Sequence, residues 1–313
     1  MATKFAVHVC AVLVLTLIVG GCGSKTETKV VTIPEIRTVE IPVIVPGSVD
    51  TVSIPTYVSV DRSVGIKSLP KAIDEGSPKI QSLGKSVAKV FAANGASGTG
   101  FFISKDGLFL TNEHVIPIRA CVARKCPGYK IVTGFHQNGT PTVHTDFEVL
   151  AHEDGQYDFA LVKVKLNPGE TVDFLELDLA PVKFDAAWNG STHTVLGHPG
   201  GASLHFAEAK PYEAEGVSIR FQGVVIPGNS GGPLVDLSRG KVVGLVKQMR
   251  TMPVRDGTGS AYFENLNEAT AIGDLNKLLI EKTGIGLTSI GSTTDAKELA
   301  RTAAKLPLSL IHI

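Results

Sequence analysis

Gly228-Asn229-Ser230-Gly231-Gly232-Pro233-Leu234 sets a serine among small residues, just ahead of the apolar pair Leu234-Val235. One glycine two residues before the serine and two directly after it open backbone conformations that residues with a Cβ avoid. Such a turn can hold a hydroxyl outward while its own N–H groups converge on one point. Attack on a carbonyl, and retention of the resulting oxyanion, require that geometry. A Gly-rich serine turn is equally compatible with plain loop. The decision rests on whether the chain supplies a base and an orienting acid.

Nine histidines are present, and His114 stands in Thr111-Asn112-Glu113-His114-Val115-Ile116, directly after a strand-like run. His198, in Gly197-His198-Pro199-Gly200-Gly201, reads as a turn residue, and His136, His144 and His152 read as surface. No H-E-x-x-H occurs, so zinc-peptidase chemistry has no motif to stand on. For the acid, Asp158 heads the apolar run Phe159-Ala160-Leu161-Val162-Lys163-Val164. A carboxylate there calls for a partner, because unpaired charge is costly to bury. Asp154, beside Gly155, reads as turn, and Asp146, between polar residues, as surface.

The order His114, Asp158, Ser230 separates two chemistries. Gly228-x-Ser230-x-Gly232 also satisfies the G-x-S-x-G elbow of α/β-hydrolases, but those enzymes place acid and histidine after the serine. Here only His312 follows Ser230, and the strand–helix alternation of that fold is absent.

Apolar residues make up 43% of the 313 and charged residues 19%, with 33 Gly and 17 Pro, a turn-rich globular composition that leans to all-β. Thirty basic residues balance thirty acidic ones without a cluster, which gives no support to nucleic-acid binding. Short apolar runs at 86–92, 101–104, 108–111, 130–133, 147–150, 159–164, 194–196, 217–221 and 241–246 are separated by turn residues. They predict an antiparallel barrel or sandwich. Gly98 and Gly100 could suggest a phosphate loop, but neither lysine nor helix follows, so a hairpin is expected. A helix is expected late, capped by Asp274, striped by Leu275, Leu278 and Leu279 and stopped by Gly284. A second is expected from Asp295, with Glu298 at capping-box spacing.

The N-terminus reads as an export signal over 1–21, with Lys4 as its positive region and Val9 to Val19 as its apolar core. Val19-Gly20-Gly21-Cys22 resembles a bacterial lipobox, which would lipidate Cys22; the alternative is an ordinary secretory signal with a chance cysteine. Gly23 points toward the outer membrane. A spacer is expected over 22–77, with Ile-Pro at 33–34, 41–42 and 54–55 arguing against helix and central strand. The alternative there is a propeptide folded over the site. Cys121 and Cys126 can form a disulfide in an oxidising compartment, and their C-x4-C spacing without a second pair does not suit zinc. The main domain is expected over 78–284 and a tail over 285–313, without cofactor or metal.

Ser97-Gly98-Thr99-Gly100-Phe101-Phe102-Ile103, the block around His114, the Asp158 run and Pro227–Leu234 together resemble trypsin-like (chymotrypsin-fold) serine peptidases, of the bacterial Deg/HtrA type. The resemblance implies two six-stranded antiparallel β-barrels, with His114 and Asp158 on the first and Ser230 on the second. It implies Ser230 as nucleophile, His114 as base and Asp158 as orienting acid. The N–H groups of Gly228 and Ser230 would form the oxyanion hole, with Asn229 as a helper. Neutral Asn229 cannot pair with a released N-terminal amine, so activation by N-terminal trimming is not expected. Val224 and Val225 would floor the specificity pocket, and Val246-Lys247-Gln248 would pair with substrate backbone. No acid sits at that floor, so an aliphatic side chain, rather than Arg or Lys, is expected there. No PDZ module is expected. Protein or peptide substrates and a membrane contact through Cys22 are implied, with the protein facing periplasm or cell surface. The other reading is a silent binding protein on a peptidase fold.

Overall fold

Valine, isoleucine, threonine and phenylalanine crowd the short runs of this chain, and such residues suit a pleated, half-buried backbone. The computed structural model describes residues 39–45, 48–56, 69–182, 188, 191–247, 250–255 and 261–287. The expected signal, Cys22, Gln248 and the helix from Asp295 lie outside these. The chain divides into two units, residues 1–61 with 252–264, and 62–251 with 265–313.

In the first unit, β1 (Val39–Val45) and β2 (Ser48–Thr56) pair antiparallel in a two-stranded sheet. Each strand keeps an open edge, so Pro42 and Pro55 are tolerated. This part of the expected spacer therefore doubles back instead of running straight.

The second unit begins with β3 (Lys71–Ala72), a 3-10 turn at Ile73–Glu75 and α1 (Pro78–Gly84). Ser77 caps α1, its hydroxyl accepting the Ile80 N–H at 3.4 Å, and Pro78 takes the first turn. This helix precedes the one expected at Asp274. Ile73 is buried, so packing begins upstream of residue 78.

Next come β4 (Val87–Phe91), β5 (Ser97–Phe102), β6 (Leu108–Thr111), β7 (Lys130–Thr133), β8 (Thr142–His144), β9 (Phe147–Glu153) and β10 (Phe159–Val164). Their spatial order is β8-β7-β4-β5-β6-β10-β9. This sheet stays open rather than closing as a six-stranded barrel. The outer edge of β9 is met instead by the 122–125 hairpin, with the Val149 N–H on Arg124 O at 2.9 Å and Lys125 bridging to Glu148.

The remaining strands are β11 (Glu176–Leu177), β12 (His193–Gly197), β13 (His205–Glu215), β14 (Ser218–Gly223), β15 (Pro233–Asp236), β16 (Lys241–Val246), β17 (Arg250–Arg255) and β18 (Ala261–Ala271). Antiparallel pairing runs β16-β15-β12-β13-β14-β18 and returns to β16 through Gly244–Val246, which closes a six-stranded barrel. The expected all-β class is thus realised as one closed barrel and one open sheet. The final helix is α2 (Ile272–Thr283), ended by Gly284 in the left-handed region at φ 74°. Its N-cap is Ala271, and Asp274 lies within the first turn, where a negative charge suits the helix dipole.

Period-two alternation feeds two cores from one strand. On β10, Phe159 and Leu161 join the core shared by the open sheet, the barrel and α2, while Ala160, Val162 and Val164 fill the interior of the open sheet. β6 divides likewise, Leu108 and Leu110 to the shared core and Phe109 inward. Val195, Ile219, Phe221 and Leu234 fill the barrel. With apolar surface covered on both faces, both sides of the site rest on rigid strands.

Candidate active site

His114 follows β6 and Asp158 precedes β10, and these two strands are paired neighbours, Thr111 opposite Ala160. That pairing brings the two side chains together. Asp158 Oδ2 lies 2.7 Å from His114 Nδ1, and Asp158 Oδ1 accepts the His114 backbone N–H at 3.1 Å. The carboxylate thus grips the histidine at ring and backbone, which fixes the ring's orientation. Asp158 is 14% exposed and His114 39%, so the acid is sheltered while the base faces solvent. Asn112 Nδ2 donates to Asp158 O at 2.7 Å, a support the sequence reading did not foresee. Glu113, next to His114, is buried, and burial first, then the charges of Asp154 and Asp158, push its carboxyl up.

The serine turn is shaped by contacts to both sheets. Gly228 has φ +102°, and a Cβ there would stand 2.3 Å from His198 O, so only glycine fits. Thr99 on β5, fully buried, is the hub: its N–H donates to Ser230 O at 2.8 Å, and its hydroxyl donates to Gly228 O at 2.6 Å. That hydroxyl also accepts the His198 N–H at 3.0 Å. A Cβ on Gly231 would lie 3.1 Å from the Asn112 nitrogen, which locates the serine turn against the loop that carries His114.

Among the described residues, no protein acceptor takes the Gly228 or Ser230 N–H. The Asn229 N–H is occupied by Ile226 O at 3.1 Å, which removes Asn229 from the expected oxyanion donors. No hydrogen bond joins the Ser230 hydroxyl to His114 among the described residues, and the His114 bond to Asp158 is made through Nδ1. Such catalytic bonds are often long before substrate arrives and tighten in the complex.

The expected substrate-binding side chains are less open than the sequence suggests. Val225 and Val246 lie in the barrel core, and Val224 is half-buried. Lys247 is buried, its ammonium bonded to Gln156 O and 3.4 Å from Ser218 Oγ. The backbone there is also engaged: the Val246 N–H with Gly232 O at 2.8 Å, Val246 O with the Gly231 N–H at 2.9 Å, and the Lys247 N–H with Glu268 O at 2.8 Å.

Two of the histidines read as surface, His144 and His152, are buried: His152 lies on β9, which is covered on both faces, whereas His144 is the buried residue at the end of β8, whose Thr142 and Val143 are exposed. His198 is buried as well as being a turn residue, and burial pushes its pKa down to about 3. Beside it the buried Lys89 ammonium donates to Gly201 O and lies 4.3 Å from the ring centroids of Phe91 and Phe135, tying β4 to the turn that backs Gly228. Cys121 and Cys126 are joined by a disulfide. Among the described residues, no group of three or more His, Cys, Asp or Glu could hold a metal ion.

The family described as trypsin-like peptidase domain matches residues 98–245. The protein y4bJ of Sinorhizobium fredii, itself uncharacterised, is 30% identical over 251 residues, covering 78% of this chain and 36% of that relative. A protein of Pseudomonas fulva named "Probable periplasmic serine endoprotease DegP-like" is 31% identical over 159 residues, covering 49% of this chain and 29% of that relative. The chain thus spans about a third of the length of these curated relatives. The crystal structure of Deg5 superposes with a TM-score of 0.49 at 19% identity, covering 64% of this chain and 91% of Deg5. Residues 98–245 are thus similar to a trypsin-like peptidase domain.

Proposed function

We propose that this protein is a serine endopeptidase acting through Ser230, His114 and Asp158. The observation that carries the reading is the two-point grip of Asp158 on His114, at 2.7 Å and 3.1 Å. That grip leaves His114 Nε2 as the free end of the ring, able to take the Ser230 proton as the hydroxyl oxygen attacks a peptide carbonyl. The N–H groups of Gly228 and Ser230 receive the oxyanion, and each such donor is worth on the order of 100-fold in rate. Collapse of the tetrahedral species breaks the C–N bond, and His114 returns its proton to the leaving amine. Water then repeats the sequence on the acyl-enzyme. Asp158 holds the imidazole tautomer and stabilises the imidazolium throughout.

Export over a signal ending at residue 21, lipidation of Cys22 and a periplasm- or surface-facing peptidase domain form part of the same proposal. The periplasmic location in the name of the Pseudomonas fulva relative is in keeping with export. A silent binding protein is the second reading, favoured by the missing Ser230–His114 hydrogen bond and by the internally paired backbone at Val246 and Lys247. Fluorophosphonate labelling separates the two. Labelling of the wild type that vanishes in Ser230→Ala is expected of the peptidase, and no Ser230-dependent labelling of the signal-free protein is expected of the binder.

A further inference from the structure

We propose that Glu153 is a positioning residue that sets the orientation of Asp158; the proposal rests on the peptidase reading above. Glu153 ends β9 and is 8% exposed. Its Oε1 accepts the Gly155 N–H at 2.7 Å, and its Oε2 accepts those of Tyr157 at 2.8 Å and Asp158 at 3.0 Å. Three N–H groups of the loop between β9 and β10 therefore converge on one sheltered carboxylate, and the last of them belongs to Asp158 itself.

Asp158 needs this support. Its φ of 46° lies in the left-handed region, which residues with a Cβ enter at a cost. The Glu153 carboxylate holds the N–H of Asp158, and Asn112 holds its carbonyl at 2.7 Å, so both peptide groups flanking its Cα are pinned. In that conformation one carboxylate oxygen meets the His114 ring and the other the His114 N–H. The closed barrel completes the cage from the other side. Thr270 Oγ1 donates to Tyr157 O at 2.6 Å, and the Lys247 ammonium donates to Gln156 O.

The same contact at Gly155 shows that the cradle is close-fitting. A Cβ at that position would stand 2.3 Å from Glu153 Oε1, so a side chain there and the carboxylate cannot both keep their places. Two substitutions thus disturb the cradle by different routes. Glu153→Gln keeps the shape, but its NH2 cannot accept, so at least one N–H loses its partner. Gly155→Ala keeps the carboxylate and displaces it.

The test compares both variants with the wild type by fluorophosphonate inactivation kinetics and by proton NMR of the hydrogen between His114 Nδ1 and Asp158 Oδ2. A displacement of about 1 Å at a catalytic group can cost on the order of 100-fold. The expected result is a maximal inactivation rate lowered about 10- to 100-fold, half-saturation within about twofold, and an NMR signal shifted or lost, in variants that still melt cooperatively. A folded variant with wild-type inactivation and an unchanged signal overturns the proposal. So does failure of both variants to fold, which would assign Glu153 to the scaffold alone. If the wild type itself does not label, the peptidase reading fails, and loss of the NMR signal in the variants still upholds the positioning role.

Discussion

Around Asp158 the hydrogen bonds run from side chains to a loop, from Glu153, Asn112, Thr270 and Lys247. Around Ser230 they run mostly between backbone groups, with Thr99 the side chain that intervenes. The acid loop lacks glycine at its key residue and holds a left-handed Asp158 by outside contacts. The serine turn instead has glycines whose missing Cβ atoms let it press against neighbouring main chain, as at Gly231, where a Cβ would lie 2.1 Å from Thr99 O. A loop held by side chains can be loosened by degrees. A turn made of glycine and backbone has little middle ground, because any side chain there collides with main chain.

The largest effect should come from the acid itself. Asp158→Asn preserves size but can hold His114 in the wrong tautomer, and a loss of about 10,000-fold in the rate of fluorophosphonate labelling is expected, with the melting transition retained. A loss below about tenfold would place the acid elsewhere.

Thr99 tests the other half. Thr99→Val leaves Gly228 O and the His198 N–H unpaired in a buried place, at a cost of about 1–3 kcal/mol for each. Reduced stability, and labelling slowed by about tenfold with the His114–Asp158 NMR signal unchanged, would mark the two halves as separately held. If that signal moved as well, the comparison would break.

The smallest effect is a graded one with pH. Burial holds the pKa of His198 down to about 3 and also lowers those of His144 and His193. As pH falls below about 6.5, the unfolded chain takes protons that the folded one refuses, so stability present above that pH drains away toward pH 3. His198 alone contributes up to about 1.4 kcal/mol per pH unit in that window. Melting temperatures measured between pH 7.5 and 4 should fall, and a flat profile would show that these rings are not held neutral.

The strand runs and the order His114, Asp158, Ser230 were legible in the sequence because each motif gathers its chemistry within a few contiguous residues. What holds those motifs is long-range. Thr99 meets Gly228 across 129 residues, Thr270 meets Tyr157 across 113, and Lys247 meets Gln156 across 91, and no local pattern records such contacts. Glu153 left one faint signal, a carboxylate closing an apolar run with Gly155 two residues on. His144 and His152 misled because polar neighbours suggest a surface, whereas β9 is covered on both sides and buries His152 at either parity, and β8 buries His144 while leaving Val143 exposed. α1 was within reach, since Ser77-Pro78 is a helix start in plain sequence. The open first sheet was not, because its edge is met by a hairpin whose pairing to β9 is a tertiary event.

One measurement bears most directly on the central claim that Ser230 is an activated nucleophile. The signal-free protein and its Ser230→Ala variant are treated with a fluorophosphonate, weighed intact and mapped by peptide mass. The account predicts a single stoichiometric adduct on the peptide containing Ser230 in the wild type and none in the variant. An unmodified wild type, or an adduct that persists in Ser230→Ala, would contradict it.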